Sequence, residues 1–249
     1  MEITIKRDGL TLRGILEMPE GAVNCPVVIM LHGFTANIGY DDNDILCMIS
    51  NMLNRAGLAT VRVDFNGHGK SDGNFSDMNV LNEIGDAIAV MEYVRKLDFV
   101  SEIYILGHSQ GGVVGGMLAG YYADVAKKLV LLAPAATLKT DAQQGVCFGK
   151  KYDTDHIPEF VEIDENHSVG GHYFRIAKYL PIYEVTMHFT NPVLVVHGLC
   201  DSAVHYSASK KYKAVLADCR LKLYEHLDHG LDGADRDEML NEIISFLTG

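Results

Sequence analysis

The chain has 249 residues, of which 48% are hydrophobic and 22% are charged. This composition is typical of a globular protein with one or two domains and argues against a disordered chain. Asp and Glu outnumber Lys and Arg by 33 to 21, a net charge of −12, and no basic run is present, so nucleic acid and anionic membrane surfaces are poor candidates for the main partner.

Short apolar runs predict the strands. Glu2–Ile5 and Leu10–Leu16 form a predicted antiparallel pair, joined by the turn signal Asp8-Gly9. Six further runs follow: Val27–Leu31, Ala59–Asp64, Ile103–Gly107, Leu129–Ala133, Val193–Val196 and Leu221–Tyr224. Strands that are apolar on both faces suit a sheet that is covered by helices on both sides.

Amphipathic segments of helical length lie between most of these strands. They are Asp44–Ala56, Val80–Lys96, Gly112–Ala123, Ser207–Leu216 and Arg236–Leu247. Alternation of strands and helices predicts an α/β fold with a mostly parallel, doubly wound sheet. We expect a single domain that spans residues 1–249.

One interval departs from this alternation. Residues 135–191, from Ala135 to Asn191, separate two predicted buried strands and are rich in Gly, His, Tyr and Asp. Long insertions in compact domains are usually lids or binding loops, and this one leaves the carboxyl end of a strand, where α/β folds bind ligands. We therefore expect a lid insertion within the domain, with an extra packing element as the alternative.

The residues after the strand Ile103–Leu106 have the form G-x-S-x-G, Gly107-His108-Ser109-Gln110-Gly111. Between a strand and a helix this motif is the nucleophile elbow, a sharp turn that projects the serine hydroxyl from the top of the sheet. The glycines permit the close approach of strand, helix and substrate. The motif predicts Ser109 as a nucleophile, with a purely structural glycine-rich turn as the alternative.

A serine at its ordinary pKa needs a base and a group that orients the base. In sheets with this elbow the acid precedes the histidine along the chain. Asp201 and His229 each follow a predicted buried strand, so both are expected at the same edge as the serine. His226 is an alternative base, whereas Asp228 and Asp232 lie too close in sequence to His229 to reach it from a separate loop.

Two backbone N–H groups are expected to form an oxyanion hole. Gln110 follows the nucleophile at a helix N-terminus, and Phe34 follows the first buried strand in the turn His32-Gly33-Phe34-Thr35. The alternative for Phe34 is a loop aromatic that only packs. The remaining glycine-rich loop, Asp64–Gly73, lacks a phosphate-binding order of glycines and is expected to be structural.

The other histidines are expected to have structural roles, including His68, His108 and His197. None of them pairs with a carboxylate in an H-E-x-x-H arrangement, so we expect no metal site. Five scattered cysteines without a C-x-x-C pair predict reduced thiols.

Several of these segments together resemble the α/β-hydrolase superfamily over nearly the whole chain. They are the elbow, the His32-Gly33 turn, the Asp64–Gly73 loop and the placements of Asp201 and His229. More narrowly, six segments resemble the bacterial cinnamoyl (feruloyl) esterases: His32–Asn37, Asp64–Gly69, Gly107–Val114, Leu132–Ala136, Gly170–Ala177 and Leu180–Glu184.

This resemblance implies an α/β-hydrolase fold and the hydrolysis of esters between hydroxycinnamic acids and sugars or small alcohols, without a cofactor. In such enzymes the insertion roofs the acyl pocket, and polar lid residues hold the phenolic hydroxyl. The matching positions are Asp141, Gln144 and Tyr173, whose side chains offer suitable donors and acceptors. The alternative for each is a side chain that faces solvent.

Other functions stay open at this point. A monoacylglycerol-type lipase or medium-chain acyl esterase would use the same three residues under a mostly apolar lid. A thioesterase or acyltransferase would also fit, whereas a non-catalytic ligand-binding relative would usually lack part of the triad.

The expected partner is a small-molecule ester, and the sequence leaves a homodimer open. No apolar segment reaches the roughly 18 residues of a membrane span. The first residues carry no apolar signal region, so we expect a cytoplasmic location.

Overall fold

The computed structural model describes all residues of the chain, Met1–Gly249. Twelve strands follow one another along it: β1 Glu2–Arg7, β2 Leu10–Glu17, β3 Cys25–Leu31, β4 Ala59–Val63, β5 Val100–His108, β6 Ala126–Leu132, β7 Val146–Cys147, β8 Lys150–Lys151, β9 Phe160–Glu162, β10 Ser168–Gly170, β11 Val193–Gly198 and β12 Cys219–Tyr224. Eight of them form the central sheet, in the order β1-β2-β4-β3-β5-β6-β11-β12. The mostly parallel sheet predicted from the sequence is confirmed.

Only one edge of the central sheet is antiparallel. β1 pairs with β2, and β2 pairs with β4, in antiparallel register, whereas all the following neighbours are parallel. In the parallel part Leu31 lies beside Gly107, and His108 beside Leu132. The carboxyl ends of β3, β5, β6, β11 and β12 therefore meet at one edge of the sheet, which is where α/β folds place their sites.

Eight helices connect and cover these strands. They are α1 Ile45–Arg55, α2 Val80–Val94, α3 Gln110–Tyr121, α4 Leu138–Gln144, α5 Gly171–Ala177, α6 Ile182–Thr186, α7 Ser207–Val215 and α8 Arg236–Thr248. A single turn of 3₁₀ helix, Phe75–Asp77, precedes α2. None of the helices is long and apolar enough to cross a membrane.

The two faces of the sheet bury two separate apolar clusters. The smaller cluster of 19 residues lies under α1 and α8, and the larger one of 50 residues lies under α2, α3 and α7. The larger cluster also includes side chains from residues 135–191, such as Tyr173, Phe174 and Ile182. The insertion is therefore packed on the core beneath it.

Residues 135–191 fold into short elements above the carboxyl edge. They form the helices α4, α5 and α6 and the two small antiparallel pairs β7/β8 and β9/β10. The buried side chains of α4 are Leu138 and Ala142, and those of α5 include Tyr173 and Phe174. Each of these helices thus turns an apolar side toward the body of the domain and leaves polar residues outside.

Candidate active site

Ser109 occupies a strained turn between β5 and α3. Its φ of 56° and ψ of −121° lie in a region that residues with a side chain rarely adopt. The two flanking glycines explain how the turn is tolerated. A Cβ on Gly107 would lie 2.1 Å from the carbonyl oxygen of Gly111, and a Cβ on Gly111 would lie 2.3 Å from that of Leu31. No residue with a side chain fits at either position.

Ser109, His229 and Asp201 form a continuous chain of hydrogen bonds. The Ser109 Oγ lies 2.9 Å from His229 Nε2, and His229 Nδ1 lies 2.7 Å from Asp201 Oδ2. A neutral imidazole with its proton on Nδ1 donates to the carboxylate and accepts from the hydroxyl. The three residues come from loops after β5, β12 and β11, at the shared carboxyl edge. This geometry is suited to a nucleophile, a base and an orienting acid.

The alternative residues do not reach the serine. His226 is exposed and hydrogen-bonds to Asp235 instead, through its backbone N–H at 2.8 Å and its ring Nδ1 at 3.4 Å. Asp228 and Asp232 are exposed on the loop that carries His229. Among the candidates weighed from the sequence, the structure brings together only His229 and Asp201 with Ser109.

The carboxyl of Asp201 is fully shielded from solvent. Burial by itself raises the pKa of Asp201, but hydrogen bonds from His197, His229 and the backbone N–H of Val204 more than offset this and hold the pKa well below its usual range. Asp201 therefore stays ionised and can stabilise a positive charge on His229.

His197 is a functional contact that sequence reasoning missed. It is completely buried, and its Nε2 lies 3.1 Å from Asp201 Oδ2 and 2.9 Å from the carbonyl oxygen of Val204. Its Nδ1 lies 2.6 Å from the hydroxyl of Ser209. With the proton on Nε2, this N–H is shared between the Val204 carbonyl oxygen and the Asp201 carboxylate, and Nδ1 accepts from the Ser209 hydroxyl. The signal in the sequence was its position at the end of β11, four residues before the acid.

The backbone N–H groups of Phe34 and Gln110 are free. Both residues are buried, at 6% and 2% exposure, and neither N–H donates a hydrogen bond within the protein. Buried N–H groups are almost always paired, so two free ones beside a nucleophile are suited to a developing oxyanion. The predicted pair of donors is consistent with this arrangement.

The Asp64–Gly73 loop holds the segment that carries Phe34. His68 Nε2 donates to the carbonyl oxygen of Phe34, and the Asp64 carboxylate accepts from the backbone N–H of Ile38 at 2.9 Å. His32 Nε2 accepts from the N–H of Phe65 at 3.0 Å. Burial, together with the neighbouring His68, lowers the pKa of His32 to about 3, so this acceptor stays unprotonated. These contacts agree with the structural role expected for the loop.

The side chain of Gln110 is fixed from two directions. Its Nε2 donates to Glu83 Oε2 at 2.8 Å, and its Oε1 accepts from the hydroxyl of Tyr173 at 2.7 Å. Burial raises the pKa of Glu83 well above its usual value, because the Gln110 hydrogen bond only partly offsets it and the nearby Asp86 raises it further. The residue after the nucleophile is thus tied both to α2 and to the insertion.

A cavity of about 440 Å³ opens beside Ser109 and His229. Eleven of its 18 lining residues are hydrophobic, and most come from the insertion. Its wall includes Phe34, Leu138, Ala142, Val146, Cys147, Phe148, Phe174 and Val204. A chamber of this size and lining suits a small, mainly apolar acyl group.

Two of the three predicted lid residues line this cavity. Asp141 is half-buried, and burial raises the pKa of its carboxyl. Tyr173 is buried, and burial raises the pKa of its hydroxyl well above the usual value, so it stays protonated. Asp141 can accept a hydrogen bond from a hydroxyl group inside the cavity, and so can the Tyr173 oxygen, whose own proton is donated to Gln110.

The third predicted lid residue, Gln144, does not line the cavity. It is exposed at the end of α4. The next residue, Gly145, takes a left-handed conformation with a φ of 69° and ends the helix. This turn directs the chain into the β7/β8 hairpin, so that Val146, Cys147 and Phe148 line the cavity in its place.

A second, polar cavity of about 300 Å³ lies next to the first. Three pairs of consecutive residues divide between the two: Phe34, Ser109 and His229 line the first, whereas Gly33, His108 and Gly230 line the second. The second cavity is therefore lined by residues that directly precede or follow those at the reacting atoms. Polar and charged side chains dominate the second, among them Asn37, Asn43, Asp44, Asp232 and Arg236.

Comparisons with known proteins agree with this fold and geometry. Residues 23–158 match the family model described as serine aminopeptidase, S33. The human serine hydrolase-like protein is 29% identical over 167 residues, which are 64% of this chain and 73% of that protein. The mouse monoacylglycerol lipase ABHD6 is 24% identical over 222 residues, which cover 82% of this chain but only 57% of that lipase.

Solved structures extend the likeness to the whole chain. The structure of Est1E from Butyrivibrio proteoclasticus with ferulic acid bound has a TM-score of 0.93 and 34% identity. That likeness covers 98% of this chain and 97% of Est1E. Mouse alpha/beta hydrolase domain-containing protein 10 has a TM-score of 0.76 at 18% identity, which is evidence of a shared fold alone.

Proposed function

We propose that this chain, a hydrolase of the α/β-hydrolase superfamily, is a serine carboxylesterase that acts on hydroxycinnamate esters. Within the superfamily, the chain belongs to the family that the S33 serine aminopeptidase model describes. The observation that carries the proposal is the hydrogen-bonded chain Ser109–His229–Asp201 at the mouth of an acyl-sized cavity. The likeness to Est1E, which binds ferulic acid, supports the choice of acyl group.

In the first half of the reaction the Ser109 Oγ attacks the ester carbonyl carbon. His229 Nε2 takes the hydroxyl proton as the bond forms, and Asp201 stabilises the charged imidazole. The N–H groups of Phe34 and Gln110 hold the negative charge that develops on the carbonyl oxygen. The proton then passes from His229 to the leaving alcohol, and the acyl group stays on Ser109.

In the second half water repeats the same steps. His229 takes a proton from the water as its oxygen attacks the acyl carbon, and the two N–H groups again stabilise the oxyanion. Return of the proton to the Ser109 Oγ releases the free acid. Besides the ester, the two halves use only these residues and water.

The two cavities suggest where the halves of the ester lie. An acyl group in the larger cavity directs the ester oxygen toward the side where Gly33 and Gly230 line the polar cavity. The alcohol can therefore leave on that side. Within the larger cavity, the phenolic hydroxyl of a hydroxycinnamate finds partners in Asp141 and Tyr173.

A monoacylglycerol-type lipase or acyl esterase is the second candidate. The mouse lipase ABHD6 supports it, although that match is 24% identical. Asp141 and Tyr173 argue against it, because a cavity built for an alkyl chain would not place a carboxyl and a phenol in its wall.

A comparison of acyl groups separates the two candidates. We expect kcat/KM for methyl ferulate to exceed that for methyl butyrate and for a long-chain methyl ester, with Ser109→Ala as the blank. Higher kcat/KM values for the aliphatic esters than for methyl ferulate would be compatible with the triad but would overturn the hydroxycinnamate assignment. A Ser109→Ala variant that keeps most of the activity would overturn the serine mechanism itself.

Three expectations from the sequence stay predictions. They are a cytoplasmic location, a small-molecule ester as the partner and the possibility of a homodimer.

A further inference from the structure

The β7/β8 hairpin carries a residue that its turn disfavours. Val146 pairs with Lys151, and Cys147 pairs with Lys150, so Phe148 and Gly149 form a two-residue turn. Their φ angles are 48° and 76°. Turns with two positive φ values strongly favour Asn-Gly, Asp-Gly or Gly-Gly, because a bulky side chain is strained in this conformation. Phe148 is therefore not explained by the needs of the turn.

The position of the ring does explain it. The Phe148 ring stacks on that of Phe34, with the ring centroids 5.3 Å apart and the planes inclined by 23°. Phe34 is buried and offers one of the two free N–H groups of the candidate oxyanion hole. The hairpin thus places an aromatic ring directly against the residue beside the reacting carbonyl.

The Phe148 side chain also remains available to a ligand. It is 62% exposed, although it lines the same cavity as Ser109 and Tyr173. An aromatic side chain that serves only packing would bury most of its surface. Here Phe34 contributes a stacking partner, and the rest of the ring surface stays uncovered.

We propose that Phe148 is a specificity-determining residue, which packs against a planar aromatic acyl group bound at Ser109. The inference rests on the proposed esterase function of that site. Aromatic pairs prefer offset-stacked or edge-to-face contacts and gain more from them than the buried area alone supplies. A flexible alkyl acyl group has no such gain, so Phe148 favours cinnamoyl over aliphatic esters.

The variant Phe148→Asn tests the proposal, because it removes the ring and supplies a residue that suits the turn. We expect its kcat/KM for methyl ferulate and methyl cinnamate to fall about tenfold relative to that for methyl butyrate, mainly through KM. The melting temperature should be equal to or above that of the wild type, since the strain of the turn is relieved.

Phe160→Asn is the matched control. Phe160 is another exposed phenylalanine of the insertion, at 50% exposure on β9, and it does not line the acyl cavity. We expect this control to keep the wild-type ratio between aromatic and aliphatic esters. A ratio in Phe148→Asn that stays within about twofold of the wild type would overturn the proposal alone. A wild-type enzyme that hydrolyses methyl butyrate but neither aromatic ester would overturn both this proposal and the proposed function.

Discussion

Two buried side chains hold active-site residues without lining the acyl cavity. The Nε2–H of His197 is shared between the carboxylate of Asp201 and the carbonyl oxygen of Val204, and Glu83 accepts from the side chain of Gln110. Both are fully buried. In the proposed mechanism they are positioning residues, because each acts on the reaction through another side chain. Their loss should therefore change the rate of the chemical steps more than the binding of substrate.

His197→Leu should lower kcat about tenfold to a hundredfold and leave KM nearly unchanged. The reason is that Asp201 then keeps only one side-chain donor, so the carboxylate and the imidazole that it orients become less well fixed. Steady-state kinetics with methyl ferulate measures this split.

His197→Gln is the conservative comparison, since its amide can still donate to Asp201. We expect it to recover part of the lost kcat. Equal losses in both variants, or a loss that appears only in KM, would contradict a positioning role for His197.

Glu83→Gln should be more stable than the wild type at neutral and alkaline pH. The folded protein keeps a proton on Glu83 that the unfolded chain releases above its ordinary pKa of 4.5, so this group lowers the free energy of unfolding as pH rises. Glutamine has no proton to lose and can still accept from Gln110. Melting temperatures across the pH range should converge at acidic pH and diverge above it. Parallel curves would show that Glu83 ionises normally in the folded state.

At the scale of elements, α2 is held at its first turn by a reciprocal cap. The Asn79 side chain accepts from the backbone N–H groups of Leu81 and Asn82, and the Asn82 side chain accepts from the N–H of Asn79. This cap fixes the start of the helix one turn before Glu83, which contacts Gln110.

Asn79→Ala should therefore lower the free energy of unfolding by about 1 kcal/mol. Chemical denaturation measures the difference, and Asn79→Asp, which keeps an acceptor at the cap, serves as the control. An alanine variant as stable as the wild type would mean that packing of α2 alone fixes its start.

The carboxyl of Asp141 on α4 should make the preference for a phenolic substrate depend on pH. Burial raises its pKa, so at acidic pH the group is protonated, and it becomes a stronger acceptor for a phenolic hydroxyl once the proton leaves. The ratio of kcat/KM for methyl ferulate to that for methyl cinnamate should rise about tenfold from acidic to neutral pH. Asp141→Asn should remove the rise. The same rise in that variant would exclude Asp141 as its source.

Within the insertion, the sequence predicts correctly that polar residues line the cavity, but it does not predict the position of every one of them. Asp141 and Tyr173 lie on helices that bury a regular apolar side, and both line the cavity. Gln144 does not, because the left-handed turn at Gly145 ends α4 and reverses the chain. The β7/β8 hairpin escaped prediction, since its strands have two residues each and Phe148-Gly149 is an unusual turn sequence.

At the scale of the whole molecule, the sheet and the order of its elements are predictable from the sequence. Every predicted strand and helix outside the insertion occurs, with ends that differ by a few residues; for example β5 begins at Val100 rather than Ile103. The predicted strands are apolar on both faces, and the G-x-S-x-G motif requires a strand, a turn and a helix in that order. Few folds other than a parallel sheet covered by helices satisfy both conditions. The order of the parallel strands then brings Ser109, Asp201 and His229 to one edge.

Contacts through the core are harder to infer. His197 lies in an apolar strand whose pattern is that of a packing residue, and only the folded sheet shows which carboxylate its ring meets. The tie between Glu83 and Gln110 likewise joins residues 27 positions apart on two helices. Periodicity identifies buried positions, but it does not say which buried polar groups pair.

The covalent intermediate tests the central claim most directly. Wild-type protein is mixed with methyl ferulate, quenched in acid during turnover, digested and analysed by mass spectrometry, with Ser109→Ala treated in parallel. We predict a feruloyl group on the peptide that contains Ser109 and none on the variant. Two results would contradict the account. One is release of ferulate with no adduct at Ser109 at any quench time, and the other is release of ferulate by Ser109→Ala at the same rate as by the wild type.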